Sequence, residues 1–296
     1  MAGLLDRIRR ARRPPFHTLS AAAARGAYEQ AAEVLDLPRV PLARVEDFAL
    51  PGGDGAPRPA RRYVGGDDGN RGGERPTLLY FHGGGFVVGS LETHDSLCRQ
   101  LAQRSGWNVV ALDYRLAPEH RFPAAVDDAW AALHALRPAA VGGDSAGGTL
   151  AAVSALHARD CGLPLALQLL ITPGTSAGRD TPSRRLFGDG FLLDAVTIDW
   201  FFDHYIEPHQ RHDWRFAPLE AEVDGVAPAC IILAECDPVV DEGIAYADRL
   251  RAAGVPVALE LYRGVTHDFI KMGRALKEAH QALDAAAAAL KEALPP

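Results

Sequence analysis

The segment Gly143-Asp144-Ser145-Ala146-Gly147 is the first whose residue types and spacing point to chemistry. With eight serines and 29 glycines in 296 residues, about 0.08 GxSxG matches are expected by chance, so context must decide. The segment follows an apolar run, AAV at 139–141, and opens a helical stretch, GGTLAAVSALHA at 147–158. In such a strand–turn–helix setting the glycines permit a sharp turn that lifts the Ser145 hydroxyl to the carboxyl edge of a sheet. A serine hydroxyl is a weak nucleophile unless an imidazole takes its proton. That imidazole needs a carboxylate to hold its tautomer and stabilise its charged form. In this strand order the acid and then the histidine follow the serine, each just past a late strand. Asp237, after the apolar run 229–235, and His267, after the run 257–262, stand in those places. Asp241 competes for the acid role, but it lies a turn further on at a helix start, where capping is expected. Asp268 adjoins His267, and neighbouring side chains on an extended segment point apart.

Acyl transfer also needs donors aimed at the oxyanion, and losing one typically costs ~10²–10³ in rate. The run His82-Gly83-Gly84-Gly85-Phe86 follows the apolar stretch TLLYF at 77–81. Gly83, Gly84 and Gly85 leave the backbone N–H groups unobstructed, and the Ala146 N–H, next to the nucleophile, is a further donor. His82 is expected to be structural, its ring hydrogen-bonding the loop.

These segments, with DYRLAPEHRFPAAVDD at 113–128, CDPVVDEG at 236–243 and His267, occur in an order that resembles the α/β-hydrolase esterases of the hormone-sensitive-lipase-like family. The resemblance covers nearly the whole chain, including the N-terminal segment and DWRFAPL at 213–219. It implies a cofactor-free serine carboxylesterase acting on short- to medium-chain acyl esters through an acyl-enzyme. It also implies Ser145, Asp237 and His267 as the triad, and Gly84 and Gly85 (Gly83 less directly) as oxyanion donors with Ala146. Cis peptides at Ala117–Pro118 and Phe122–Pro123, and a homodimer through the edge strand at Val257–Tyr262, are implied as well. There are two departures. The usual His-Gly-Phe is His267-Asp268-Phe269, whose extra carboxylate either faces solvent or raises the imidazole pKa. The usual Tyr-Pro is Thr172-Pro173, a change to the pocket wall. Two other functions fit the same fold: arylacetamide or acetyl-group hydrolysis on the same triad, and a small-molecule receptor. The complete triad argues against the receptor.

The elements that must position these residues read as an α/β alternation. Strands are expected at Val45–Leu50, Arg61–Val64, Thr77–His82, Asn108–Asp113, Ala139–Gly142, Leu165–Thr172, Ala229–Glu235 and Val257–Tyr262. The later ones are continuously apolar, as strands buried on both faces are. Helical patterns fall at Asp95–Ser105, Ala124–Leu136, Ala146–Arg159, Gly243–Ala253 and from Arg274 to Leu294. In the last, Leu276, Leu283 and Leu290 recur every two turns as a docking stripe. The early strands are separated by turn-rich sequence, so antiparallel pairing is expected there. The sum is a mostly parallel eight-stranded sheet with helices on both faces. Residues 1–43 and the aromatic-rich 180–215 stand outside the alternation and are expected to cap a single domain spanning 1–296.

Composition narrows the function classes. The chain is 48% hydrophobic with a formal charge of −7, which excludes disorder and argues against nucleic-acid binding through a basic surface. Cys98, Cys161, Cys230 and Cys236 show neither disulfide-framework nor zinc spacing and are expected to be reduced, in a cytoplasmic protein. Arg7 to Arg13 supply a basic stretch, but no apolar run with a cleavage site follows, so a solvated helix at a mobile end is expected. No window is long and apolar enough for membrane insertion. Asp113, Arg115, Glu119 and Arg121 read as a loop held by ion pairs. His204, His209, His212 and Asp213 read as solvated side chains, so no metal is expected.

Overall fold

The computed structural model describes residues 1–65, 75–177 and 180–294. Its eight strands are β1 (Arg44–Pro51), β2 (Pro57–Val64), β3 (Thr77–Phe81), β4 (Asn108–Leu112), β5 (Ala140–Asp144), β6 (Leu167–Ile171), β7 (Ala229–Cys236) and β8 (Val257–Thr266). They form one sheet in the order β1-β2-β4-β3-β5-β6-β7-β8, with β2 antiparallel to both neighbours and the rest parallel. The hairpin expected early in the chain is β1–β2. The next pairing differs from expectation: β2 pairs with β4, and the turn-rich sequence between β2 and β3 falls mostly outside the described residues.

Period-two alternation buries both faces of the central strands. Leu79 and Phe81 of β3 and Val110 and Leu112 of β4 join one core, while Leu78, Tyr80, Val109 and Ala111 join the other. The first core is covered by α4 (Ala124–Leu136), α5 (Ala146–Asp160) and α8 (Val240–Ala252), the second by α3 (Asp95–Ser105) and α9 (Lys277–Glu292). The stripe of Leu276, Leu283 and Leu290 is buried in the second core, although Leu276 sits just before α9 begins. Asp113 excepted, the charged loop after β4 is held by ion pairs, Arg115 to Asp128, Glu119 to Arg25 and Arg121 to Glu207. Its Ala117–Pro118 and Phe122–Pro123 peptides are cis.

Four further helices lie outside the alternation: α1 (Ala2–Arg10), α2 (Ala21–Leu35), α6 (Pro182–Phe187) and α7 (Ala195–Tyr205). The arginine-rich α1 is not a free end. Its Leu4 and Leu5 are buried, and Arg9 donates to the Gly190 carbonyl. Leu4, Leu5 and Ile8 give it an apolar face beside the arginines, and burying two leucines outweighs the freedom of a fraying terminus. Among the described residues no helix is long and apolar enough to cross a membrane.

Candidate active site

Ser145 stands between β5 and α5 with φ 51 and ψ −120, a strained conformation for a residue with a side chain. Two close approaches enforce it. A Cβ on Gly147 would meet the Phe81 carbonyl oxygen at 2.0 Å, and one on Gly143 would meet the Gly147 carbonyl at 2.3 Å. Glycine alone lets the helix sit this near the strands, and the turn then lifts Ser145 off the sheet edge. The Ser145 amide donates to the Ile171 carbonyl at 2.8 Å, pinning the turn to β6.

β7 and β8 deliver the other two groups. His267 Nε2 is 2.9 Å from Ser145 Oγ, and His267 Nδ1 is 2.7 Å from Asp237 Oδ2. A carboxylate only accepts, so Nδ1 carries a proton, and in the neutral ring the lone pair on Nε2 faces the hydroxyl. Asp237 Oδ1 accepts from the Val239 amide at 3.0 Å, which fixes the carboxylate's rotation. Asp237 and His267 are both buried. Burial alone disfavours the imidazolium, but Asp237 and then Asp268 outweigh it, raising the His267 pKa to about 9.

Asp268 is partly exposed, but its Oδ1 turns inward. Its backbone is left-handed, φ 57, so the chain is not extended and successive side chains need not diverge. Its Oδ1 lies 3.8 Å from His267 Nε2, buried and without a hydrogen-bond partner among the described residues. The second branch of the sequence expectation, a carboxylate that raises the imidazole pKa, is the one the geometry follows. Asp241 also differs from expectation. It lies inside α8, which begins at Val240, and its Oδ2 accepts from the Ser183 amide at 2.9 Å, capping α6 instead of its own helix.

Of the glycines after β3, Gly85 lines the cleft together with Ser145, Ala146 and His267. The Gly84, Gly85 and Ala146 amides donate to no acceptor among the described residues. Gly83 is different: its amide points at His94 Nε2, 3.3 Å away. Gly85 has φ 58, and a Cβ there would strike the Phe201 ring at 2.2 Å. His82 is buried, stacked on Tyr114 at 4.3 Å, with Nδ1 against the Gly83 carbonyl at 2.8 Å. Burial, then the neighbouring His94, lowers its pKa to about 3, so it stays neutral.

Sequence reasoning missed a buried polar network beneath the site. Lys271 Nζ donates to the Tyr28 hydroxyl at 3.0 Å and lies 3.5 Å from His94 Nε2. His94 Nε2 is 3.1 Å from Asp144 Oδ2, and the Tyr80 hydroxyl donates to Asp144 Oδ1 at 2.7 Å. Burial opposes the charge on Asp144, yet His94, Lys271 and Tyr80 hold its pKa below the usual carboxylate range. The available signal was the carboxylate beside the serine: Asp144, buried in a strand end, requires partners.

The cleft encloses about 570 Å³ of empty space including its open mouth, and its apolar wall includes Leu193, Ile198, Phe201, Phe202, Phe216 and Val239. Glu242, on the same wall, accepts from Ser176 Oγ at 2.6 Å, and burial lifts its pKa to about 7. Thr172 and Pro173 do not line the cleft; Pro173 instead backs Gly148 in α5. His204, His209, His212 and Asp213 do not converge. His204 faces the Trp200 carbonyl and Asp213 pairs with Arg215.

A strained serine at a strand–helix elbow, at the edge of a mostly parallel sheet and beside a paired imidazole, defines an α/β hydrolase. A family model described as "alpha/beta hydrolase fold" matches residues 78–271, and the chain belongs to that family, in its hormone-sensitive-lipase-like group. It is 41% identical to an ethyl acetate hydrolase of Pseudomonas putida, over 95% of this chain and 92% of that protein. It is also 41% identical to a carboxylesterase of Mycobacterium tuberculosis over 74% of each chain. The hyperthermophilic esterase of the archaeon Pyrobaculum calidifontis superposes with a TM-score of 0.91 at 37% identity, over 98% of this chain and 96% of that one.

Proposed function

We propose that the chain is a serine carboxylesterase in which Ser145, His267 and Asp237 form the catalytic triad. The observation that carries this reading is the unbroken relay from the Asp237 carboxylate through His267 to Ser145 Oγ, with contacts of 2.7 and 2.9 Å. His267 Nε2 takes the hydroxyl proton as Ser145 Oγ attacks the ester carbonyl, and Asp237 stabilises the resulting imidazolium. The Gly84, Gly85 and Ala146 amides hold the oxyanion; the Gly83 amide, engaged by His94, supports the loop instead. The imidazolium then protonates the departing alcohol, and water releases the acyl group by the same steps in reverse. No cofactor or metal enters this sequence.

The apolar cleft suits short- to medium-chain acyl groups, and Leu193, Ile198, Phe201 and Phe202 of its wall come from the segment 180–215. We read that segment, with about 1–43 behind it through Phe16 on Phe201, as a cap on a single domain. β8 is an edge strand with an exposed Leu261, which supports a homodimer through Val257–Tyr262. A cytoplasmic location accords with four unpaired cysteines.

Ser145→Ala is expected to lower kcat for p-nitrophenyl butyrate by about 10⁴–10⁶ with an unchanged circular dichroism spectrum. Turnover near the parent level in the folded variant would sink the assignment. Running the matching anilide in parallel separates ester from amide hydrolysis.

A further inference from the structure

Three donor atoms meet at the far end of α4 and α5, away from the cleft. His134 Nε2 is 2.9 Å from His157 Nε2, and Cys161 Sγ is 3.5 Å from the same nitrogen. All three ligand atoms lie within 4.8 Å of one another. His157 and Cys161, four residues apart, share one face at the end of α5, and His134 reaches across from the last turn of α4. We propose that His134, His157 and Cys161 bind one Zn²⁺ ion, with water in the fourth position.

The donor set suits a borderline-soft divalent ion: two imidazoles and a thiolate. Zn–N near 2.0–2.1 Å and Zn–S near 2.3 Å put neighbouring donors of a tetrahedron about 3.3–3.6 Å apart. The His157–Cys161 contact already has that spacing. His134 must withdraw by about 0.4 Å from its imidazole partner to admit the ion between them, and its side chain is exposed and able to do so. His157 is held in place, stacked on Trp130 at 4.0 Å with the rings 7° from parallel. On binding, the Cys161 thiol proton leaves to solvent and the proton between the two Nε2 atoms moves to the outer ring nitrogen. No electron is transferred.

Along α5 the ion sits about 20 Å from the Ser145 turn. It therefore clamps two helices and leaves the chemistry untouched. Binding to the folded form alone must raise thermal stability by mass action.

The test uses the full chain, reduced and stripped with a chelator. Titration with Co²⁺ is expected to show one equivalent bound with a thiolate-to-cobalt charge-transfer band, which Zn²⁺ then displaces. Zn²⁺ is expected to raise Tm in the parent protein. His134→Ala and Cys161→Ser are each expected to bind Zn²⁺ about tenfold or more weakly while hydrolysing p-nitrophenyl butyrate at the parent rate. No stoichiometric binding, or binding unchanged in both variants, overturns the proposal and leaves a hydrogen-bonded histidine pair. Co²⁺ bound without the charge-transfer band removes Cys161 from the site and overturns it equally.

Discussion

The floor and the roof of the cleft are built on different principles. Ser145, Asp237, His267 and the Gly84–Gly85 turn each follow a strand of one sheet, so the ladder sets their spacing. Close backbone contacts, such as Gly147 on Phe81, leave them no room to drift. The roof side of the cleft is lined by the segment around α6 and α7, against which Arg9 and Phe16 of the N-terminal stretch pack. It meets the floor through side chains such as Phe201 over Gly85, and within the roof Phe16 packs edge-on to Phe201 at 6.3 Å. Leu186 and Val196 of this roof remain 69% and 50% exposed. Geometry that must hold to tenths of an ångström is entrusted to paired backbone, and the fit to the substrate to side chains that can repack.

The largest effect that tests this contrast should come from the floor. Asp237→Asn leaves the shape intact but favours the wrong imidazole tautomer, and kcat should fall by about 10⁴ in steady-state assays. A fall shared equally with roof variants would erase the distinction. Phe201→Ala should do the reverse. KM for p-nitrophenyl butyrate should rise roughly tenfold with kcat nearly unchanged, and the preferred acyl chain should lengthen.

The smallest effect lies within the floor and concerns pH. In the proposed mechanism His267 must be neutral to accept the serine proton, so activity should rise with pH toward the imidazole pKa of about 9. Asp268→Asn removes one of the three carboxylates that raise it, and the acid limb of the kcat/KM profile should move to lower pH. The stability linkage has the opposite sense. The raised pKa contributes stability that is complete below 6.5 and is lost as pH climbs toward 9. Asp268→Asn should flatten that decline in Tm. An unmoved acid limb would mean that Asp268 is electrostatically silent.

What the sequence made legible follows the same division. Apolar runs such as TLLYF and CIILA reveal buried parallel strands because both faces of the sheet are covered, and a reactive residue after each strand needs only chain order to be placed. The β2–β4 pairing was not legible, since strand order records no local propensity. The burial of α1 was hidden by the run of arginines that follows the two leucines deciding its docking. Asp268 was misdirected by assuming extended backbone where one residue turns left-handed. Lys271 and His94 carried no motif, because a buried charge is recognisable only by the partners that folding brings to it.

A further contact ties the leading helices to the network beneath the site. Tyr28, in the N-terminal α2, holds the ammonium of Lys271, four residues past the imidazole. Trimming the chain ahead of β1 would therefore do more than widen an entrance. It would strand a cation beside His94 and Asp144, next to the proposed nucleophile, so the leading helices bear on the charge balance beneath Ser145.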